Sequence, residues 1–593
     1  MRTRYRARAL LAGAVALAAL ATACAETTDT GGEDGEDGGG LAEHSEQDLV
    51  IDWDGEAATP AADVPDAQEG GNITILQTAD FEHLDPPNIY VSNALSYGTL
   101  FHRRLTGYIE AEDGSMTLVG DLATNPGVSE DEGRKWTYTL REGIAFEDGT
   151  PITSADVAHG IARSFTEFGA QGPQFLQNAL DPEGTYEGPF DGEALPPGVS
   201  VPDDQTIVFE FAEPFPGMPY VVAFPTSAPV PEGTGAEAID RNFVASGPYK
   251  IQEYRADERL VLERNDAWDP ATDPIRKQYV DTFTFEFGVE AADQTERLRS
   301  ASGDDATALM NADVAPELIA TVKGDSDVMS RAYQGPNIFS FYIWINTQRV
   351  DDVDVRRALN YAFDRDAYIK AVGGYDIADP ATTIMSPVTP GYKQFDAFPE
   401  AGEEAPGGPH TGNPEMAMEL LEGKDVGTLK YCTANTELNQ EIAAVVQAGF
   451  ARADITIEPE FIDPANYFTT VGTKSTDCDL SSSGWGQDYP DGETVIGTIM
   501  DGAQIRDEGN YNYSYFTDPD VEAKIAELRA NTDRGAVAAE YGELDEQIMT
   551  EHAPLIPGRY GRDFVIHGPR VGNAFVAPAW NDWNLAVAYV MPE

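Results

Sequence analysis

The chain has 593 residues, 41% of them hydrophobic, and sets 102 aspartates and glutamates against 38 lysines and arginines, a formal net charge of −64. So acidic a surface repels polyanions, which argues against nucleic acid and anionic lipid as partners. The part beyond residue 70 is too long for a single core and implies two or three domains.

The first 23 residues read as a signal peptide. Arg2, Arg4, Arg6 and Arg8 precede an apolar stretch from Ala9 to Ala21 that is too short to span a bilayer. Ala21-Thr22-Ala23-Cys24 then resembles the bacterial lipobox, although Leu20 stands four residues before the cysteine rather than three. Lipidation of Cys24 would anchor the chain to the membrane on its extracytoplasmic face. The competing reading is a plain secretory cleavage site. Residues 24–69 carry many acidic groups, no lysine or arginine, and a GGEDGEDGGG run, the composition of a disordered acidic tether.

The ordered region is expected to begin with Asn72-Ile73-Thr74-Ile75-Leu76, a short strand after two glycines. Lys135 to Arg141 alternates aromatic and aliphatic with polar residues and predicts a half-buried strand. A turn at Glu147 to Thr150 leads to Thr153, which can cap a helix with Asp156 three residues on, and Val157, Ile161 and Phe165 share a helical face. Further strands are predicted at Thr206 to Phe211, at Arg259 to Glu263, and through Phe283, Phe285 and Phe287. Asp354 to Phe363 has a helical pattern with Val355, Leu359, Ala362 and Phe363 together. Asn413 and Pro414 suit the start of a helix to which Met418, Leu420 and Leu421 supply apolar side chains and which Gly423 can end. Strands mixed irregularly with helices point to an α/β or α+β organisation, and there is no internal repeat.

Enzyme signatures are absent: no Gly-x-Ser-x-Gly, no phosphate-binding loop, no His-Glu-x-x-His and no Cys-x-x-Cys. No two of the seven histidines have a ligand-like spacing, and His83, His159 and His567 read as surface or satisfied core residues. No carboxylate pair is singled out for glycoside hydrolysis. Cys432 and Cys478 remain once Cys24 is set aside; in an exported protein they either pair or stay as two buried thiols.

Several segments taken together resemble the extracellular solute-binding proteins of ABC importers, the large peptide/nickel class called family 5, in the form of an actinobacterial-type lipoprotein. Gly71 to Ile75 leading to Leu84-Asp85-Pro86 is similar to the family's first strand and turn. Leu118 to Val157 resembles its signature of a strand ending in Leu-Arg-x-Gly followed by Phe-x-Asp-Gly-Thr-Pro, with Asn125-Pro126-Gly127 in place of the usual Ser-Trp and Glu147 at a position where histidine or asparagine is common. Ala245 to Lys250 with Leu260 to Asn265, Asn346 to Ala362, and Gly484-Trp485-Gly486-Gln487-Asp488-Tyr489-Pro490-Asp491 match further motifs in the family's order.

The resemblance implies an α/β, two-lobed periplasmic-binding-protein fold with an extra inserted subdomain and a ligand cleft that closes about a hinge. Lobe I is expected at 70–112, 226–335 and 560–593, the insert at 113–225, and lobe II at 336–559. It also implies a monomeric binding protein without cofactor or metal that hands a solute, an oligopeptide in the first instance, to membrane permease subunits. Asp488 would accept the ligand's α-amino group, Trp485 and Tyr489 would wall the site, and Asn337 would contact ligand backbone. Other solutes of the class, such as sugars, haem and nickel complexes, stay open, nickel less so because the matched cleft motifs hold no histidine. A lipid-anchored hydrolase is the alternative from a different class.

Overall fold

The computed structural model describes residues 49–51, 57–166, 168–190, 194–399 and 410–592. Cys24, the signal segment and the glycine-rich run lie outside the described residues. The described chain forms two compact units, one from residues up to Gln334 and from Phe564 onward, the other from Gly335 to Asp563. The chain therefore crosses from one unit to the other twice. Each crossing falls inside a long strand, Ala332–Ile345 and Leu555–Ile566.

The first unit holds a five-stranded sheet in the order Ala308–Met310, Asn72–Leu76, Thr282–Glu286, Arg259–Arg264, Tyr249–Arg255. Asn72–Leu76 pairs parallel with both neighbours, and its Ile73, Ile75 and Leu76 are fully buried, the near-continuous apolar strand that a parallel environment selects. The register sets Ile73 beside Phe283 and Leu262, and Ile75 beside Phe285 and Leu260, so one face is apolar across three strands. A four-stranded antiparallel sheet spans Val128–Glu130, Lys135–Thr139, Thr206–Glu210 and Val199–Asp203. There Trp136 faces Phe209 and Tyr138 faces Ile207, all four buried. The Ser154–Arg163 helix starts at the Thr153–Asp156 capping box.

Two expected boundaries need correction. The strand Met116–Gly120 pairs antiparallel with Thr106–Glu110, so a division at residue 113 would cut a hairpin whose turn is Glu112-Asp113-Gly114. The insert lies within the first unit, and its own sheet begins only at Val128. The composition predicts an acidic tether up to residue 69, yet Leu49–Ile51 pairs with Met116 to Leu118, and Ala57 and Ala61 are buried. The Ala61 N–H donates to the Asp273 carbonyl at 2.8 Å, and Lys277 Nζ meets Asp63 Oδ1 at 2.6 Å. Net charge concealed the short apolar and small-residue stretches that dock.

Buried charge fixes a corner of this unit. Arg103 Nε donates to Asp121 Oδ1 at 2.8 Å and Arg276 Nη2 to Asp121 Oδ2 at 2.7 Å, with all three side chains out of water. Burial alone would raise the Asp121 carboxyl, but Arg276 and Arg103 outweigh it and hold the group well below the usual carboxylate range.

The second unit is built on a six-stranded mixed sheet in the order Ala378–Pro380, Leu555–Ile566, Ala332–Ile345, Leu480–Gly486, Thr428–Ala434, Thr456–Ile462. Alternation along Ala332–Ile345 sends Tyr342 and Trp344 into a core with Ile496, Ile499, Val537, Leu544 and Ile548. Ile343 and Ile345 go to the opposite core with Val355, Leu359, Val446 and Phe450. The Val353–Ala362 helix buries the expected Val355, Leu359 and Ala362. Asn413 Oδ1 accepts from the Met416 N–H and caps Pro414–Leu420, but this helix has only two turns and leaves Met418 40% exposed, with Ala417 inward instead. Cys432 and Cys478 are joined, their Cα atoms 5.8 Å apart, near the parallel pairing of Tyr431 with Leu480 and Cys432 with Ser481.

Candidate functional site

The strand Leu480–Gly486 runs antiparallel to Ala332–Ile345, with Phe341 opposite Gly484, Ser340 opposite Trp485 and Phe339 opposite Gly486. The glycines are there because phenyl rings lie on them: a Cβ at Gly484 would stand 2.7 Å from Phe341 Cδ1, and one at Gly486 would stand 2.7 Å from Phe339 Cδ1. Trp485 goes to the other face and packs against the core that holds Tyr342 and Trp344. Pairing ends after Gly486, and the chain turns into a loop built around Thr494.

Trp485 Nε1 donates to the Thr494 carbonyl at 2.8 Å, and the Asp488 N–H donates to Thr494 Oγ1 at 3.2 Å. The Thr494 hydroxyl in turn lies 2.9 Å from the Asp491 carbonyl, to which it donates. One threonine thus fixes the positions of both Trp485 and Asp488. The loop carries three carboxylates with different fates. Asp491 is held by a bidentate pair from Arg534, both bonds 2.7 Å and both partners buried. Glu493 accepts from Arg529 Nε at 2.7 Å and from the Tyr541 hydroxyl at 2.6 Å; its burial still lifts its carboxyl above the ordinary value. Asp488 is half-buried and stands at the loop's entry, three residues after Trp485.

The sequence did not single out Tyr511. Its ring lies 5.0 Å from that of Trp485 at 57°, and the side chain is 37% exposed. Burial, then the charge of Asp488, raises its phenol above the ordinary value, which places it within electrostatic reach of that carboxylate. Its neighbours are locked: Asn510 bonds Gly472 and Arg506 backbone, and Asn512 bonds Phe516 backbone at both ends of its amide. The Gly-Asn-Tyr-Asn-Tyr run around it was the available signal, since an exposed aromatic flanked by side-chain-anchored asparagines is a presented ring.

Two expected site residues sit differently. Tyr489 is only 6% exposed, with its phenol driven well above the usual value by burial and by the neighbouring Asp491 and Glu493, so it belongs to the interior of the loop rather than to an open wall. Asn337 spends its amide inside the unit: Nδ2 donates to Asp563 Oδ1 at 2.8 Å, and Oδ1 accepts from the Phe339 N–H at 3.0 Å. The Asn337 carbonyl accepts from Ser386 Oγ at 2.6 Å. It braces the two long strands near the Asp563 crossing. Among the described residues no cluster of histidine, cysteine, aspartate or glutamate is arranged to hold a metal ion, and no helix is long and apolar enough to cross a membrane.

Residues 117–507 match the family model of the bacterial extracellular solute-binding proteins, family 5, and the chain belongs to that family. It is 24% identical over 490 residues to the periplasmic oligopeptide-binding protein OppA of Escherichia coli K12, covering 77% of this chain and 83% of that one. Among solved structures it is similar to clavulanic acid biosynthesis oligopeptide binding protein 2, with a TM-score of 0.80 and 30% identity over 91% of this chain and 99% of that one. It shares its fold with the periplasmic binding protein DppA of Helicobacter pylori in complex with the peptide STSA, at a TM-score of 0.64 and 18% identity over 88% of this chain and 99% of that one. The α/β fold is that of the periplasmic binding proteins, and the family is one of binding proteins, not enzymes.

Proposed function

We propose that this chain is the solute-capturing component of an ABC importer, that its ligand is a peptide-like solute with a free terminal ammonium, and that Asp488 receives that ammonium. The observation that carries the reading is the placement of Asp488 by Thr494, the same residue that fixes Trp485. The Asp488 N–H donates to Thr494 Oγ1, the carbonyl of the same threonine accepts from Trp485 Nε1, and Trp485 packs on Tyr511, whose phenol feels the Asp488 charge. A carboxylate within electrostatic reach of Tyr511, whose ring packs on Trp485, suits a cation that must leave water, since aromatic rings present negative faces and the carboxylate supplies the counter-charge. In this reading Trp485 and Tyr511 form the walls, and Tyr489 and Asn337 support the site from within.

Capture by hinge closure belongs to the same proposal, with the crossings at Gln334/Gly335 and Asp563/Phe564 as the places where backbone torsions change. So do delivery to a permease and anchoring of an actinobacterial-type lipoprotein through Cys24, which lies outside the described residues. Replacing Cys24 with alanine would then release the protein from the membrane fraction with its ligand affinity intact.

Asp488→Asn keeps the shape and removes the charge. Stranding an ammonium in a poorly hydrated site costs on the order of 2–5 kcal/mol. The variant is therefore expected to bind a free-amine peptide at least tenfold more weakly by calorimetry, while an N-acetylated analogue loses little. Equal losses for both ligands, or none for either, would remove Asp488 from the site.

A further inference from the structure

Between Trp485 and Asp488 sits Gln487, whose side chain is 4% exposed and whose Nε2 and Oε1 both lack a hydrogen-bond partner among the described residues. An amide buried in this way forfeits its bonds to water at both ends, a cost that folded proteins rarely leave uncompensated. Asn510 and Asn512 in the same unit are engaged at both ends, with Gly472 and Arg506 and with Phe516, and the buried Asn360 is bonded through Nδ2 alone, whereas Gln487 has a partner at neither end. Gln487 cannot easily relieve the deficit by moving its backbone, because Thr494 holds the chain two residues before it through Trp485 Nε1 and one residue after it through the Asp488 N–H.

We propose that Gln487 is the second anchor for the ligand, an amide that reads the backbone of the residue after the one bearing the ammonium. A carboxamide offers one acceptor and one donor side by side. In an extended peptide the N–H and C=O of a single residue lie on the same edge, so Oε1 accepts the N–H and Nε2 donates to the C=O. With Asp488 next in sequence, the two side chains select a solute having an ammonium followed by an amide. That is the N-terminal end of a peptide. A free amino acid and a polyamine lack the amide N–H and satisfy only Asp488.

The inference rests on the peptide reading above, and the experiment separates the two. Wild-type protein is incubated with a pooled library of free-amine tripeptides, retained peptides are identified by mass spectrometry, and a retained sequence is compared by calorimetry with its analogue carrying an ester oxygen in place of the first peptide N–H. Wild type is expected to prefer the amide at least tenfold. Gln487→Leu should lose at least tenfold for the amide and bring the amide-to-ester ratio within about twofold, while Asp488→Asn weakens both ligands and keeps the ratio. Because the substitution removes two unsatisfied polar atoms, the ligand-free Gln487→Leu protein should melt at or above the wild-type temperature, and Gln487→Met gives the same reading if leucine does not fit. A wild-type ratio kept by both apolar variants, or a fall in the melting temperature of both ligand-free proteins, overturns the role of Gln487 and leaves the peptide reading standing. Failure of wild type to retain any tripeptide overturns that reading and this one together.

Discussion

At the residue scale the site is defined by what its neighbours forbid. Gly486 is small because the Phe339 ring occupies the space of its missing side chain, 2.7 Å from where a Cβ would be. Gly486→Ala is expected to destabilise the protein by about 1–3 kcal/mol through overpacking, and Phe339→Leu in the same chain should recover part of that loss, a coupling measurable by a double-mutant cycle in denaturant unfolding. Additive losses would show that ring and glycine do not share the space. Asp121 is constrained by charge instead. Asp121→Asn leaves the buried Arg103 and Arg276 to share one remaining buried carboxylate, Asp273, and should cost about 3–5 kcal/mol. The native Asp121 carboxyl titrates below its ordinary value of 3.8, so its contribution is complete above that value and is lost as pH falls beneath it. Acid unfolding should accordingly begin at lower pH, relative to neutral stability, in the variant than in wild type; coincident acid profiles after normalisation would reject the linkage.

At the element scale, the short-range signals were legible and the long-range ones were not. Strands with alternating aromatics, such as Lys135–Thr139, and the capped Ser154–Arg163 helix announce themselves because both period and cap are local. The matched motif also offers Trp485 and Asp488, on which the proposed site rests. Tyr511 was missed because it is brought to Trp485 from 26 residues downstream, and the internal use of Asn337 was missed because its partner Asp563 is 226 residues away. The same holds for Asp545 in the Arg534–His552 helix, which accepts the backbone N–H groups of Ile384 and Met385 and so ties that segment to the helix. Burial raises its carboxyl to about 7 against the ordinary 3.8, with the two backbone N–H groups opposing the shift. Here the sign is opposite to Asp121: native Asp545 holds its proton where the unfolded chain has released it, so its contribution falls as pH rises from about 4 to about 7. Asp545→Asn removes that dependence. The melting temperature of the variant relative to wild type should move upward between pH 5 and pH 8, by at most about 1.4 kcal/mol of stability per pH unit. A difference that is flat across this range would show that the carboxyl is not protonated in the fold.

At the scale of the whole molecule the governing quantity is charge. Even if each of the 38 lysines and arginines were paired with an acidic group, 64 of the 102 aspartates and glutamates would have no counter-charge within the chain. Surface ion pairs such as Lys424 with Asp352 and Asp354 are worth about 0–1 kcal/mol each and weaken with salt, which would favour a fall in stability as ionic strength rises. The excess carboxylates act the other way, because compact folding brings like charges together and the Debye length shrinks from roughly 10 Å at 0.1 M salt to about 3 Å at 1 M. With acidic groups so far in excess, relief of repulsion outweighs the loss of pairs. The melting temperature at pH 7.5 should therefore rise between 20 mM and 500 mM potassium chloride, steeply at first and then towards a plateau as screening saturates. Sodium sulfate at equal ionic strength separates this from a solvent effect: screening gives matching curves at low concentration, whereas surface exclusion gives a near-linear rise that is larger in sulfate. A melting temperature that falls on adding chloride would mean that the ion pairs, rather than the unpaired carboxylates, dominate the electrostatics of the folded chain.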